Sequence, residues 1–497
     1  MQRQAFSATK SGGASWHWSA WIGGKNIPNK KGPGRWRGWL RGMIPVGWWI
    51  QSAGRRFAAS WLGWALVVGC WATVEAALAA ESEKLDSPAG TPSARPNILL
   101  CIADDWGWPH AGAYGDPVVQ TPTVDRLARE GVLFTHAFVA APTCTASRGG
   151  ILTGQAIHRL EEGANLWSRL PAKFRCYPEL LQQAGYMVGM QGKGWAPGTI
   201  EGTGRTENPA GPRYKNFHQF LQQLPPEKPF CFWFGSTDPH RPYEPGSGVA
   251  SGMDPAKVRV PGWLPDTPTV RSDLCDYYWE VQRFDREVGQ MVALLEERGL
   301  LENTLLVVTS DNGPPFPRGK ANLYDAGCRV PLVVVWKARV PGGRKVDDFV
   351  SLVDLAPTFL EAAGLKPLPE MTGRSLLPIL CSDKSGRVDP KRDHVFLERE
   401  RHAWVRPEGK SYPIRAIRTH DFLYIRNFRP HLWPAGDPDF PNVVGAYGDV
   451  DASPTKAEIL QRQAEPTMAP FFQRAFAKRP AEELYDLRTD PDQLQNV

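Results

Sequence analysis

Asn97-Ile98-Leu99-Leu100-Cys101-Ile102-Ala103 runs directly into Asp104-Asp105. A mostly apolar run without polar alternation suits a strand buried on both faces, as in a parallel sheet. Downstream, Thr121-Pro122 offers an N-cap and a first-turn proline. Val124, Leu127 and Ala128 share one helical face, and Gly131 closes the segment. Similar apolar runs recur at Cys231–Phe234, Leu305–Thr309 and Pro331–Trp336, with helical patterns between them, the clearest from Asp273 to Arg298. Strands alternating with helices imply an α/β fold with a parallel sheet covered on both faces, and such sheets bind ligands beyond their carboxyl ends. Three of these strands lead into polar clusters: Asp104-Asp105, Asp238-Pro239-His240 and Asp311-Asn312-Gly313. Their convergence predicts an active site.

Beyond about residue 385 the pattern changes. Arg415–Arg418 and Phe422–Ile425 alternate like antiparallel strands, and a Pro-rich stretch (430–454) and a helix-compatible run near 456–464 follow. The expected organisation is a catalytic domain over 96–385 and a smaller α+β subdomain over 386–497, preceded by a leader (1–80) and a linker (81–95).

The charge balance supports that division. The whole chain carries 58 Lys+Arg against 52 Asp+Glu, a formal +6. Residues 1–80 hold ten of the bases, one acid and ten of the 20 Trp, so the remainder is slightly acidic at −3. A basic surface for nucleic acid is therefore not expected on the folded part. Arg55-Arg56, the apolar run Phe57–Val74 and Ala77-Leu78-Ala79-Ala80 have the order of a secretory signal peptide, with Met43 as a natural start. The same run is almost long enough to anchor in a membrane. Val67-Val68-Gly69-Cys70 resembles a lipoprotein cleavage box, with Cys70 as the acylated residue. All three readings make the protein exported, periplasmic or extracellular, and touching membrane only through this leader.

Past the leader stand seven cysteines, at 101, 144, 176, 231, 275, 328 and 381, with no C-x-x-C pair. An odd count in an exported chain leaves one thiol to explain. Asp104, Asp105, Asp311 and Asn312 offer only oxygen donors, which favour Ca²⁺ or Mg²⁺ over zinc.

Cys144-Thr145-Ala146-Ser147-Arg148, continued by Leu152-Thr153-Gly154, resembles the signature of the type I sulfatases, C-x-[PA]-S-R followed by L-T-G. Gly192-Lys193-Gly194, Asp238-Pro239-His240-Arg241-Pro242, Asp311-Asn312-Gly313 with Lys320, Met371-Thr372-Gly373-Arg374-Ser375-Leu376-Leu377-Pro378 and Glu483-Leu484-Tyr485-Asp486-Leu487 look like further landmarks of that family. Within it the likeness is to the heparan N-sulfatase (sulfamidase) branch. It rests on Asp311-Asn312-Gly313-Pro314-Pro315-Phe316-Pro317, Asn322-Leu323-Tyr324 and Ser411-Tyr412-Pro413-Ile414-Arg415.

The resemblance implies an alkaline-phosphatase-like sandwich, with a large mostly parallel sheet between helices and a smaller C-terminal antiparallel sheet. It also implies that Cys144 is oxidised to Cα-formylglycine by a dedicated maturation enzyme, and that the aldehyde hydrate is the nucleophile. One Ca²⁺ would be held by Asp104, Asp105, Asp311, Asn312 and residue 144. Arg148 would bind the hydrate oxygens, Lys193 and Lys320 the sulfate, and His240 would protonate the leaving group. Asp238, His240 and His402 would touch the sugar of a sulfated saccharide, N- or O-sulfated glucosamine in type. Conversion of Cys144 would leave an even six cysteines. Two departures from the family stand out. Trp195 or a neighbour occupies the place of a usual histidine, for which His218 and His402 are the substitutes at hand. Lys320 stands where the sulfamidase branch has arginine. A phosphonate or phosphodiester hydrolase of the same superfamily, and an inactive glycan-binding relative, are the competing expectations. Glu398–His402 is expected to be solvated or ion-paired, and Tyr277, Tyr278 and Trp279 to pack within their helix.

Overall fold

The computed structural model describes residues 95–497; the leader and nearly all of the linker lie outside the described residues. Seven strands form the main sheet: β1 Asn97–Ala103, β2 Val132–Phe138, β3 Met187–Gly192, β4 Phe230–Gly235, β5 Thr304–Ser310, β6 Leu332–Val335 and β7 Arg344–Ser351. Their order is β3-β4-β1-β5-β6-β2-β7. β3, β4, β1 and β5 are mutually parallel, so their carboxyl ends share one edge. β6 runs antiparallel to both of its neighbours, so the sheet is mostly parallel, as the family resemblance implied, and the apolar run at Pro331–Trp336 supplies its reversed member.

The unbroken apolar run of β1 serves two cores. Ile98, Leu100 and Ile102 enter one apolar cluster, and Leu99, Cys101 and Ala103 enter another on the opposite face. The period-2 geometry of a strand sends successive side chains to opposite faces, so both helix layers are filled from one segment. One layer is built on α1 (Pro122–Glu130) and the long α4 (Pro268–Glu297). The other layer contains α2 (Cys144–Thr153), α3 (Tyr177–Gln183) and α5 (Leu355–Ala362). Tyr277 and Tyr278 are buried within the first layer, as expected.

Thr121 sits at the N-cap position of α1, but its hydroxyl accepts from Gly112 N and donates to Asp125 instead of capping. The cap comes from α4: the Asp285 carboxylate accepts from Thr123 N (3.1 Å) and Val124 N (2.8 Å). Gly131 is required by close approach, since a Cβ there would run into the Val334 carbonyl.

A second, antiparallel sheet has the order β8 His394–Arg399, β9 Ile414–Thr419, β10 Phe422–Asn427 and β11 Glu482–Asp486. Its apolar face, Val395, Leu397, Ile414, Ala416, Leu423, Ile425 and Tyr485, joins the core on the α2 side of the main sheet. The helix expected near 456–464 is Pro454–Gln461.

Cysteine parity does not translate into disulfides. All seven cysteines among the described residues are free, six of them buried. Glu398, Arg399, Arg401 and His402 are buried rather than solvated, and Asp449 pairs with Arg399 and with Arg406 (2.8 Å) behind them.

Candidate functional site

At the shared carboxyl edge, consecutive residues of an extended chain would point opposite ways. Asp105 breaks the alternation with φ 77°, a left-handed conformation that aspartate tolerates better than most residues. Both carboxylates then reach one point. One ligand atom each from Asp104, Asp105, Asp311 and Cys144 lies within 4.8 Å of the others. The loops after β1 and β5 are clasped together: Trp106 N donates to Ser310 Oγ (2.8 Å) and Asp105 N to Asp311 Oδ1 (3.1 Å). Asn312 Nδ2 donates to Asp105 Oδ1 (2.5 Å) and to Gly313 O (3.0 Å). Both partners are acceptors, which orients the amide and leaves Asn312 Oδ1 buried without a hydrogen-bond partner.

Cys144 opens α2, and Arg148 follows one turn later on the same face. This i, i+4 geometry is the physical content of the C-x-x-x-R spacing. Arg148 is fully buried. Its Nε donates to Asp311 Oδ2 (2.7 Å) and its Nη1 to Lys193 O (2.5 Å). Its Nη2 has no hydrogen-bond partner and lies 3.9 Å from Asp104 Oδ1. An unpaired buried donor and an unpaired buried acceptor are each costly unless ligands satisfy them. The donor calls for an oxyanion and the acceptor for a cation.

Lys193 leaves β3 through a tight crossing. Gly192 has φ 73°, and Lys193 N donates to Gly235 O (2.7 Å). A side chain at Gly235 would collide with the Lys193 carbonyl. The ammonium reaches Asp104 Oδ2 at 2.6 Å. Lys320 mirrors it, 2.7 Å from Asp105 Oδ2 and 3.2 Å from Asp451 Oδ2. Three carboxylates (Asp104, Asp105, Asp311) thus face three bases (Arg148, Lys193, Lys320).

Burial opposes ionisation at Asp104, yet Lys193, His240 and Arg148 hold its carboxyl well below the usual range. At Asp105 burial wins and pushes the carboxyl up even against Lys320. Burial, with Asp311 beside it, pushes the Cys144 thiol far up, so the sulfur itself is a neutral thiol and a poor nucleophile. The donor set fits a hard dication: carboxylate and amide oxygens with one oxygen unspent.

Asp104, Cys144, Lys193 and Lys320 line a cleft of ≈ 670 Å³, with the other groups buried behind them. His240 Nδ1 sits 2.6 Å from Arg241 O, and a carbonyl only accepts, so Nδ1 carries a proton there. Nε2 then faces the site, 3.8 Å from Asp105 Oδ2. Arg241 itself turns away into a bidentate pair with Asp273 (2.8 and 2.9 Å). Asp238 lines the cleft with Glu280 and Arg283, and Arg283 Nε is 3.2 Å from Asp238 Oδ2. Burial, then Asp238, pushes the Glu280 carboxyl up to about 7.

His402 lines the cleft too, 2.6 Å from the hydroxyl of Thr143, the residue before Cys144. Burial, reinforced by Lys320 and Arg399 and opposed by Asp449, brings its imidazole down to about 3. It is therefore neutral near pH 7 and serves as a hydrogen-bonding group, not a proton donor. His218 is exposed on a separate helix, away from the cleft. Trp195 is buried and fills space left by Gly149 and Gly198. The place of the usual histidine is thus a packing position, and His240 and His402 are the histidines lining the cleft among the described residues.

Asp451, Glu280, Arg283 and Trp167 also line the cleft and escaped the sequence reading. Asp451 is the most consequential of them. Burial alone would raise its carboxyl, but Lys320, His240 and His402 bring it down to about 2. Its oxygen lies within 4.8 Å of ligand atoms of Asp105 and His240.

Known families and proteins resemble the chain over most of its length. The family model "Sulfatase" matches residues 96–201 and 212–365, and a second, "N-sulphoglucosamine sulphohydrolase, C-terminal", matches 319–433. The chain is 31% identical over 459 residues to human N-sulphoglucosamine sulphohydrolase, covering 81% of this chain and 86% of the relative. It is 28% identical over 457 residues to an ulvan-active sulfatase of Formosa agariphila, covering 81% and 71%.

Two solved structures share the fold. One is a complex with its substrate D-glucosamine-2-N,6-O-disulfate (TM-score 0.58, 20% identity, 81% of this chain and 93% of that one). The other is the phosphonate monoester hydrolase of Agrobacterium radiobacter (TM-score 0.60, 18% identity, 81% and 91%). With the family model running from β1 through α5 and so across β3, β4 and β5, the chain belongs to the sulfatase family and is by class a sulfuric ester or sulfamate hydrolase.

Proposed function

We propose that the protein removes sulfate from a sulfated glucosamine-type saccharide, with residue 144 as nucleophile after oxidation to formylglycine and with one Ca²⁺ in the carboxylate cluster. One observation carries the reading: Asn312 Oδ1 and Arg148 Nη2, unpaired acceptor and unpaired donor, are buried in the same cluster. The ion would be held by Asp104, Asp105, Asp311 and Asn312, and when bound it would supply Lewis-acid polarisation of the sulfate oxygens. Matured residue 144 would supply a geminal diol, one oxygen to accept the sulfuryl group and one to expel sulfate. Four carboxylates (Asp104, Asp105, Asp311 and Asp451) meet three bases (Arg148, Lys193 and Lys320), so a dication would leave one positive charge to match the single charge of a sulfate ester or sulfamate.

The other residues do ordinary work. Arg148 Nη2 points a charge-assisted hydrogen bond at the nucleophilic oxygen, and Lys193 and Lys320 turn from their aspartates towards the sulfate. His240, with Nδ1 held by the Arg241 carbonyl, presents Nε2 to the leaving atom and delivers a proton to it. His402 braces the Thr143 hydroxyl and with it the start of α2. Residues 96–385 would then carry the nucleophile and metal, and 386–497 would add His402 and Asp451 to the cleft wall. The glucosamine reading draws its support from the 31% identity to N-sulphoglucosamine sulphohydrolase and from the C-terminal model over 319–433, which spans Lys320 and His402. Among the described residues no helix is long and apolar enough to cross a membrane. The signal-like segment 55–80 supports export with a separate maturation enzyme acting on Cys144.

Leaving-group chemistry tests the assignment. His240→Ala should lower kcat on a sugar sulfate or sulfamate by about 10²–10⁴-fold, the usual contribution of a positioned general acid. On a nitrophenyl sulfate, whose leaving group needs no proton, the loss should be far smaller. Equal losses on both would remove His240 from this role. Turnover of an aryl phosphonate monoester in preference to every sulfated substrate would overturn the proposed function itself.

A further inference from the structure

We propose that Trp167 is a sugar-stacking residue, the apolar wall of a pyranose subsite above the sulfate pocket; the proposal rests on the saccharide reading of the cleft. Of the large apolar side chains exposed by more than a third among the described residues, Trp167 (38%) and Val444 (40%) line this cleft. An isolated exposed apolar residue needs no explanation, but a pair at the mouth of a charged cleft does.

The backbone at Trp167 is also unusual. Its φ is 53°, a left-handed conformation that a bulky residue rarely adopts. The turn is held on several sides. Trp167 N donates to Pro197 O (3.2 Å), and Ser168–Arg169 bridges to Gly198–Thr199. Leu166 N donates to Arg401 O (3.2 Å), and Arg401 Nη2 returns a bond to Leu166 O (3.0 Å). A strained residue fixed by its neighbours, with a large ring left in the cleft mouth, is what a pre-organised contact surface requires.

The lining of the cleft is of two kinds. Leu166, Trp167, Ala196, Pro197 and Val444 are apolar, while Asp238, Glu280 and Arg283 are charged and mutually paired. A pyranose ring has the same asymmetry, an apolar face of C–H groups and a rim of hydroxyls. An indole offers the face a flat partner of large area at little cost in side-chain freedom. The carboxylates and guanidinium suit the rim.

The test is steady-state kinetics of Trp167→Ala, Trp167→Phe and Trp167→Gly on a sulfated glucosamine disaccharide. Loss of the ring should raise KM about tenfold, with kcat falling much less. Phenylalanine should recover most of the loss. Glycine, at ease at this φ, should match alanine in KM without lowering Tm. Inhibition by inorganic sulfate, which engages only the floor, should move by less than about twofold in all three variants. An unchanged KM in Trp167→Ala would overturn the proposal. So would sulfate inhibition weakened in step with KM, because Trp167 would then be supporting the floor. A wild-type enzyme idle on every sulfated saccharide would remove the saccharide reading, and this subsite with it.

Discussion

Cys144→Ala should lower kcat by about four orders of magnitude or more, the scale on which enzymes lose a nucleophile, and should leave the fold intact. The thiol is buried at the first position of α2, where alanine is an excellent helix former. The substitution removes one sulfur whose hydrogen-bond contact is a long 3.5 Å approach to Asp104 Oδ1, so thermal unfolding should change little. The cation and sulfate groups remain, so the variant should still bind inorganic sulfate. Near-normal turnover in Cys144→Ala would show that another group attacks sulfur.

Asp311→Ala should have the second-largest effect, and on two properties at once. Its carboxylate accepts Arg148 Nε (2.7 Å) and Asp105 N (3.1 Å), and both aspartate and arginine are fully buried. Removing it strands the Arg148 guanidinium, and breaking a buried pair from one side costs about 3–5 kcal/mol. The unfolding midpoint should fall accordingly. The same change removes one of the proposed ion ligands and loosens the arginine that faces the nucleophile. Turnover should drop by at least about a thousandfold, and added Ca²⁺ should no longer raise Tm. Wild-type protein should gain stability with Ca²⁺ and lose activity to a chelator. A variant as stable and as Ca²⁺-responsive as wild type would contradict the cluster described here.

Much of this site could be read from sequence because its chemistry sits where local periodicity ends. Asp104-Asp105 and Asp311-Asn312 end two apolar runs. Cys144, Arg148, Lys193 and Lys320 came with the family likeness, since no local pattern marks their roles. Asp451 and Trp167 stayed hidden for a physical reason. One lies in a Pro-rich stretch and the other in a short turn, and only packing across the chain carries them into the cleft.

The same logic explains two of the strands that went unread. β3 and β7 are the two edges of the main sheet. Edge strands tolerate glycine and charge, as in Met187–Gly192 and Arg344–Ser351, and so lose the apolar signal. The antiparallel direction of β6 was invisible because hydrophobic pattern reports burial, not direction. Thr121 misled as a cap because Asp285, far away in sequence, took that role.

The central claim is that residue 144 acts as an oxidised cysteine, and the mass of its peptide tests this most directly. In protein made by the native host, the peptide containing residue 144 should be about 18 Da lighter than its cysteine form, as conversion of the thiol to the aldehyde nucleophile requires. An active preparation whose peptide retains the full cysteine mass would contradict the account.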